Sequence, residues 1–168
     1  HNGAWHFEVG GRLESQQVEV DKTEDATLKD YDDTAYSLAA SVIYDLNDND
    51  TLAISLQRSQ RHPNSTELYA NGPHHATSQF EIGDDDLGVE TAYTVDLSYR
   101  LQRNLWNANL TVFYTQFDDH IFSSFTGEYD MVLHEGETEP EPDLPKYAYV
   151  ATDAKFYGFE AEFGLSLI

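Results

Sequence analysis

Six stretches of the chain alternate apolar and polar residues with a period of two. Around the middle of the sequence, for example, Val95, Leu97 and Tyr99 alternate with Asp96 and Ser98. Successive side chains of a β-strand point to opposite faces, so this period predicts strands with one apolar and one polar face. The stretches lie at 5–9, 36–46, 52–57, 93–101, 106–114 and 157–167. The pattern therefore predicts an all-β chain of about six strands.

The connections between these stretches alternate in length. Residues 47–50 and 102–104 are predicted to form tight turns, whereas residues 14–33, 61–91 and 117–153 form long connections. Short turns on one side and long loops on the other are typical of bacterial outer-membrane β-barrels. The third long connection, in which residues 135–145 are rich in Glu and Pro, is predicted to be the most mobile of the three.

Two architectures bury one face of such strands. A soluble β-sandwich packs two apolar faces together and usually has strands of about 5–6 residues. A transmembrane barrel turns its apolar face to lipid, needs about 9–11 residues per strand and places aromatic residues at both interfaces. Aromatic residues stand near both ends of three predicted strands: Tyr36 and Tyr44, Tyr93 and Tyr99, and Trp106 and Tyr114. We therefore expect an antiparallel transmembrane β-barrel, and a soluble acidic β-sandwich, acting as an adhesin or binding module, remains the alternative.

Six strands are too few to close a membrane barrel, because the smallest have about 8. An open six-stranded sheet would also leave unpaired strand edges in hydrocarbon. We therefore expect residues 1–168 to be one contiguous part of a larger barrel, without an internal domain boundary. The first residues lack the charged and apolar halves of a signal peptide, which also suggests a fragment.

Charge and composition remove several function classes. The formal net charge of −22 would repel the nucleic-acid backbone, so no nucleic-acid partner is expected. Without cysteine, thiol catalysis and zinc–sulfur sites are excluded. The sequence contains no G-x-S-x-G, H-E-x-x-H or glycine-rich phosphate motif, so we expect no enzyme and no catalytic residues. The acids concentrate in the long connections, which hold 24 of the 31 Asp and Glu residues.

Three passages are more specific than a periodic pattern. They are Arg61-His62-Pro63-Asn64-Ser65-Thr66-Glu67-Leu68-Tyr69, then Asp84-Asp85-Asp86-Leu87-Gly88-Val89-Glu90, and finally Tyr157-Gly158-Phe159-Glu160-Ala161-Glu162. In this order they resemble the C-terminal half of the barrel of TonB-dependent outer-membrane receptors. Asp85 stands where that family commonly has Pro, and Gly88-Val89 where Lys-Pro is common. The passage Tyr69-Ala70-Asn71-Gly72-Pro73-His74-His75-Ala76-Thr77 resembles, more narrowly, the zinc-receptor (ZnuD-like) branch.

The resemblance implies a barrel of about 22 strands, closed by an N-terminal plug that lies outside this sequence. It also implies a location in the outer membrane of a Gram-negative bacterium and capture of a substrate at the extracellular loops. Energy for uptake would come from TonB through the missing plug. The implied partners are outer-membrane lipid, the rest of the barrel, the plug, TonB and a metal-ion substrate. An iron-siderophore or haem receptor of the same family is an alternative.

A metal site in this chain would use imidazole and carboxylate ligands, because there is no thiol. The candidate ligands are His74 and His75, together with Glu67 and Glu81 of the same long connection. Adjacent histidines on an extended chain point to opposite sides, so the two are not expected to bind one ion together. His74 is the stronger candidate, because it matches the zinc-branch pattern. Zinc is expected as the transported substrate, and no resident cofactor is expected. His62, which precedes Pro63 at the base of the connection, is predicted to be structural.

Overall fold

The computed structural model describes residues 4–22, 27–132 and 141–166. These residues form one sheet with a single short helix. The elements are β1 (Ala4–Val18), β2 (Tyr31–Asn47), β3 (Asp50–Arg61), α1 (Ser65–Tyr69), β4 (Asn71–His74), β5 (Gln79–Ile82), β6 (Glu90–Gln102), β7 (Trp106–Val132) and β8 (Glu141–Leu165). The prediction of an all-β chain is confirmed.

The six predicted strands are confirmed as the six long strands, which pair antiparallel in the order β1-β2-β3-β6-β7-β8. Two short strands were not predicted. β5 pairs in parallel with β8 through Phe80–Ile82 and Lys146–Ala148, and β4 pairs with β5. Within the described residues the sheet is therefore open, with β1 and β4 as its outermost strands.

The register of the strands gives the sheet two chemically different faces. On one face, directly opposed residues form a continuous apolar row of Phe7, Val42, Ile54, Leu97, Val112 and Phe159. Phe7 is 70% exposed and Phe159 is 74% exposed. The other face carries polar residues, including Asp96, Asn109, Glu160 and Glu162. An apolar surface of this extent is not stable against water, so it needs a non-aqueous neighbour.

The two predicted tight turns are confirmed and lie at the same end of the sheet. The backbone N–H of Gln102 donates to the carbonyl of Asn49 at 2.7 Å. The guanidinium of Arg103 lies 2.7 Å from the Asp50 carboxylate. These contacts join the β2–β3 turn to the β6–β7 turn, so the long connections emerge from the opposite end.

The expectation that residues 117–153 form a long loop is wrong for most of that segment. β7 continues to Val132 and β8 starts at Glu141, so the two strands form a long hairpin. Aromatic and β-branched residues such as Phe122, Phe125, Tyr147 and Val150 favour extended backbone there, despite the many acids. Residues 133–140, which include part of the Glu- and Pro-rich segment of this connection, lie outside the described part.

The second long connection is also ordered, through α1 and the β4–β5 hairpin. It carries a small hydrophobic core at the loop end of the sheet, formed by Tyr31, Leu68, Leu87 and Ile121. Leu68 is 1% exposed. Among the described residues, no helix is long and apolar enough to cross a membrane.

Candidate functional site

The short helix α1 is held by its first residues. The side chain of Asn64 accepts hydrogen bonds from the backbone N–H groups of Thr66 and Glu67, at 2.9 and 3.0 Å. The carboxylate of Glu67 in turn accepts from the N–H of Asn64 at 2.8 Å. This reciprocal capping box satisfies N–H groups that a helix start leaves unpaired. It explains why five residues suffice for a defined helix and why Leu68 points into the small core.

Arg61 connects this helix to the sheet. Its guanidinium lies 2.9 Å from Glu67 and 3.0 Å from Glu90. Oε2 of Glu90 also accepts a hydrogen bond from the backbone N–H of Ile121 at 2.8 Å. Nδ1 of His120 lies 2.9 Å from the same oxygen. Burial raises the pKa of Glu90, but the hydrogen bond from Ile121 and the charge of Arg61 outweigh it, so that the pKa is lowered overall.

A β-bulge directs His120 toward Glu90. The register of β7 against β8 shifts between Phe117 and His120, and Asp119 adopts a positive φ of 57°. The extra residue returns His120 to the face of the sheet that carries Phe117, whose ring centroid lies 4.8 Å away. We call Arg61, Glu67, Glu90 and His120 the anchor network. It ties α1, β3, β6 and β7 together at the loop end.

The anchor network positions the β4–β5 hairpin through Gly83. The N–H of Gly83 donates to the carbonyl of Ala70 at 2.6 Å, and the N–H of Asp84 donates to the carbonyl of Glu67 at 2.9 Å. A Cβ atom on Gly83 would lie about 2.5 Å from the backbone nitrogen of Tyr69. Only glycine permits this close approach of two backbones.

The hairpin brings His74 and Glu81 together. His74 Nδ1 lies 3.3 Å from a carboxylate oxygen of Glu81 and 2.9 Å from Oγ1 of Thr77. The hydroxyl of Thr77 donates to the carbonyl of His74, so its oxygen is free to accept from the ring. Tyr149 of β8 donates weakly to Glu81 at 3.5 Å. Both neighbours of Nδ1 are acceptors, which places the proton on Nδ1 and leaves the lone pair on Nε2.

The four predicted metal ligands do not converge on one point. His74 is half-exposed at the end of β4, and Glu81 is buried beside it. His75 lies in the turn that follows and is exposed. Glu67 is occupied by Arg61 and by the capping of α1. The assignment of these residues to a metal remains a prediction, for which the geometry favours His74 and Glu81.

Three aspartates form a different cluster. In the described ranges it is the only group in which three potential metal-ligand atoms of His, Asp or Glu lie within 4.8 Å of one another. It consists of Asp84, Asp85 and Asp86. Lys29 contacts two of these acids, through its backbone N–H to Asp85 and its ammonium to Asp86. The hydrogen bond to Asp86, together with the charge of this carboxylate, raises the pKa of Lys29. This cluster therefore joins the first long connection to the second.

Of the other histidines, His62 is structural, as predicted. It is 8% exposed, its Nδ1 lies 2.8 Å from the hydroxyl of Tyr31, and its Nε2 lies 3.3 Å from the carbonyl of Glu14. His6 lies on the polar face of β1, with its Nε2 3.1 Å from the Asp45 carboxylate. His134 lies outside the described residues.

The anchor network was missed at the level of sequence. Arg61, Glu67 and Glu90 fall within the Arg61–Tyr69 and Asp84–Glu90 passages, and His120 lies in the third long connection. The contacts of these four residues with each other were not predicted. The available signal was that Arg61 and Glu67 lie close to Pro63, and that Glu90 lies close to Gly88. The bulge that supplies His120 has no sequence signal of its own.

Comparison with known proteins places these features in a family. The chain matches the family described as "TonB dependent receptor-like, beta-barrel" over residues 2–167. A similar solved structure is a double mutant of the Serratia marcescens hemophore receptor HasR in complex with its hemophore HasA and heme. It shares 18% identity and a TM-score of 0.59, over 96% of this chain and 28% of that one.

Two siderophore receptors named PirA are also similar in structure. The protein from Acinetobacter baumannii has 19% identity and a TM-score of 0.52, over 95% of this chain and 26% of its own. The protein from Pseudomonas aeruginosa has 15% identity and a TM-score of 0.52, over 92% and 30%. At these identities the likeness shows a common fold. The chain spans less than a third of each of these receptors.

Proposed function

We propose, since this chain belongs to the TonB dependent receptor-like β-barrel family, that the intact protein is an outer-membrane receptor that takes up zinc. In this proposal the protein is a transporter and not an enzyme. The observation that carries the proposal is the pair formed by His74 and Glu81 at the loop end of the sheet. Nδ1 of His74 lies 3.3 Å from a carboxylate oxygen of Glu81, and the chain has no cysteine that could bind zinc instead.

The exposed apolar face supports the location in a membrane. Leu97 and Val112, directly opposed in the middle of the sheet, are 46% and 50% exposed. Lipid is a neighbour that such a face tolerates without loss of stability. The polar face then lines the interior of the barrel, where the N-terminal plug, absent from this sequence, would contact it. TonB would act through that plug, and the rest of the barrel would pair with the open edges of the sheet.

The geometry around His74 is suited to one metal ligand with a defined orientation. A carboxylate that accepts from the Nδ1–H of a histidine fixes the ring and raises the basicity of Nε2. Glu81 is placed to do this, and Nε2 of His74 has no partner within the described ranges. His74 would therefore bind the metal directly, with Glu81 as its orienting group. The remaining ligands of a four-coordinate zinc ion would come from the plug or from other loops.

A second candidate is an iron-siderophore or haem receptor. It is favoured by the likeness in fold to HasR and PirA. HasR is a hemophore receptor in complex with its hemophore and heme, and PirA is a siderophore receptor. Imidazole also ligates haem iron, so His74 does not by itself distinguish the two cargoes.

The proposal is tested by calorimetric titration of the intact, detergent-solubilised receptor with Zn²⁺ and, separately, with haem. His74→Ala should weaken zinc binding by at least about tenfold, and Glu81→Gln by about 10–100-fold if it orients the ring. His75→Ala is the matched control and should change zinc affinity little. Zinc affinity should also fall as the pH drops through about 6.5, because neutral imidazole is the binding form.

Zinc affinity that is unchanged in the His74→Ala receptor would contradict the assignment of this residue. Binding of haem without measurable binding of zinc would instead favour the second candidate.

A further inference from the structure

Arg58 is a cation on the apolar face of the sheet. Along β3, the residues Leu52, Ile54, Leu56 and Arg58 alternate with polar residues and share the apolar face. Arg58 pairs across the strands with Leu38 and Tyr93, which are also on that face. A guanidinium among lipid-facing side chains is unfavourable unless it lies near the membrane–water interface or meets a counter-charge.

The contacts of Arg58 hold its guanidinium without neutralising it. The guanidinium carbon lies 3.7 Å from the ring centroid of Tyr36 and 5.9 Å from that of Tyr93. Its Nη1 donates to the carbonyl of Tyr36 at 2.8 Å. Within the described part of the chain it contacts no carboxylate, although the protein has a net charge of −22. The positive charge is therefore oriented by two tyrosines and left available.

The register places Arg58 at the upper limit of the apolar belt. The row directly below it, nearer the tight turns, is Val9, Ala40, Leu56, Val95, Tyr114 and Tyr157. The row of Arg58 itself contains Leu38, Tyr93, Gln116 and Lys155. Tyrosines and basic residues mark the interface on the surface of membrane barrels. Arg58 thus lies at headgroup level on the side of the long connections.

An apolar groove of about 510 Å³ adjoins Arg58. Val9, Leu38, Ala40, Leu56 and Val95 line it, together with Arg58. The small side chain of Ala40 lies between longer neighbours and leaves the space. The groove spans the row of Arg58 and the next row of the apolar belt, where the first part of an acyl chain attached to a headgroup would lie.

We propose that Arg58 and this groove form a binding site for an anionic lipid of the leaflet on the side of the long connections. The phosphate of the lipid binds the guanidinium, and one acyl chain lies in the groove. Arginine binds phosphate through planar, paired N–H donors. A headgroup with a net negative charge is attracted more strongly than a zwitterionic one, because choline balances the charge of the phosphate in the latter. The site rests on the membrane location in the proposed function, but it does not depend on which substrate the receptor transports.

The test uses the intact receptor, purified with detergent, and native mass spectrometry with dioleoyl phosphatidylglycerol or dioleoyl phosphatidylcholine. Arg58→Gln should lower the affinity for phosphatidylglycerol by about fivefold, the contribution expected of one basic residue near an anionic surface. It should leave phosphatidylcholine unaffected. Ala40→Phe, which fills the groove with an apolar side chain, should also lower the affinity for phosphatidylglycerol.

Lys155→Gln is the matched control, because Lys155 lies in the same row but does not line the groove. An equal loss of affinity in the Lys155→Gln receptor would mean general surface attraction and overturn the site. Unchanged affinity in the Arg58→Gln receptor would overturn it as well. Inorganic phosphate at millimolar concentration should not displace the lipid, and displacement would reduce the site to a phosphate site without a groove.

These outcomes are separate from failure of the proposed function. A receptor that remains monomeric and soluble without detergent would contradict the membrane location itself. A receptor that binds no zinc would leave the lipid measurement unaffected.

Discussion

Glu90 is the residue on which most contacts of the loop end depend. Its carboxylate accepts hydrogen bonds from the guanidinium of Arg61 and from the backbone N–H of Ile121. It also lies 2.9 Å from Nδ1 of His120. Because these partners lower its pKa, the stabilisation is fully present above the ordinary pKa of a glutamate and is lost as the pH falls through the lowered value.

We therefore predict that the thermal stability of the intact receptor falls as the pH is lowered from about 5 to below 4, where carboxylates titrate. Glu90→Gln should reduce this dependence and cost about 1.5–3 kcal/mol at neutral pH, the range for hydrogen bonds to a charged group. Glu128→Gln, which changes an exposed carboxylate outside the anchor network, is the control. Identical pH profiles for the two variants would refute the role of Glu90. Thermal melts followed by circular dichroism give the measurement.

Local sequence supplied only part of the site. His74 and Glu81 could be proposed because they lie in one connection within a recognisable passage. Arg61 and Glu90 are 29 positions apart, and Glu90 and His120 are 30 apart. These contacts are created by the register between strands, which a single sequence does not specify. The bulge at Asp119 adds a further change of face that no periodicity predicts.

At the scale of elements, the contact between α1 and the β4–β5 hairpin depends on one glycine. An alanine at Gly83 would place its Cβ about 2.6 Å from the backbone nitrogen of Ala70, and backbone atoms cannot move away easily. We predict that Gly83→Ala separates the hairpin from α1 and costs about 1–3 kcal/mol, as overpacking does. Gly72→Ala is the matched control in the same hairpin, because a Cβ there meets nothing within 4 Å.

Limited proteolysis of the intact receptor measures this effect. New cleavage between residues 62 and 90 should appear with Gly83→Ala and not with Gly72→Ala. Cleavage that is the same in both variants would show that the close approach at Gly83 does not hold the hairpin.

Alternation was sufficient to find all six long strands, because each carries one apolar and one polar face. It underestimated β7 and β8, since beyond the apolar belt their apolar and polar residues no longer alternate regularly and the many acids suggested a loop. β4 and β5 have four residues each, too few for any period to be recognised. The parallel pairing of β5 with β8 depends on the position of the whole hairpin and has no local signal.

At the scale of the whole molecule, the two faces of the sheet should respond oppositely to charge. Leu110 is 45% exposed on the apolar face, midway between Trp106 and Tyr114. Leu110→Arg should cost about 2–4 kcal/mol in a bilayer, as expected near the midplane of a membrane barrel. Asn109→Arg places the same charge on the opposite, polar face, where its cross-strand neighbours are Glu162 on one side and Arg100 on the other. It should cost far less, because that face does not contact lipid.

Equilibrium unfolding of the intact receptor in phospholipid vesicles compares the two variants. Equal costs would contradict the assignment of lipid and interior faces. The class of fold could be anticipated from the alternation and the unequal connections, whereas the number of strands in the complete barrel is not contained in this sequence.

The parallel ladder between β5 and β8 has a consequence for the order of folding. The long strands pair with sequence neighbours, but β5 must wait for β8, and β6 and β7 lie between them in the chain. Contacts between distant segments form late, because the intervening chain must first be ordered. The meander should thus assemble first and the β4–β5 hairpin should join last. In hydrogen exchange, the amides of Phe80 and Glu81 should then gain protection after those of Leu97 and Val112, so the surface that carries His74 would be completed only when β8 is already in place.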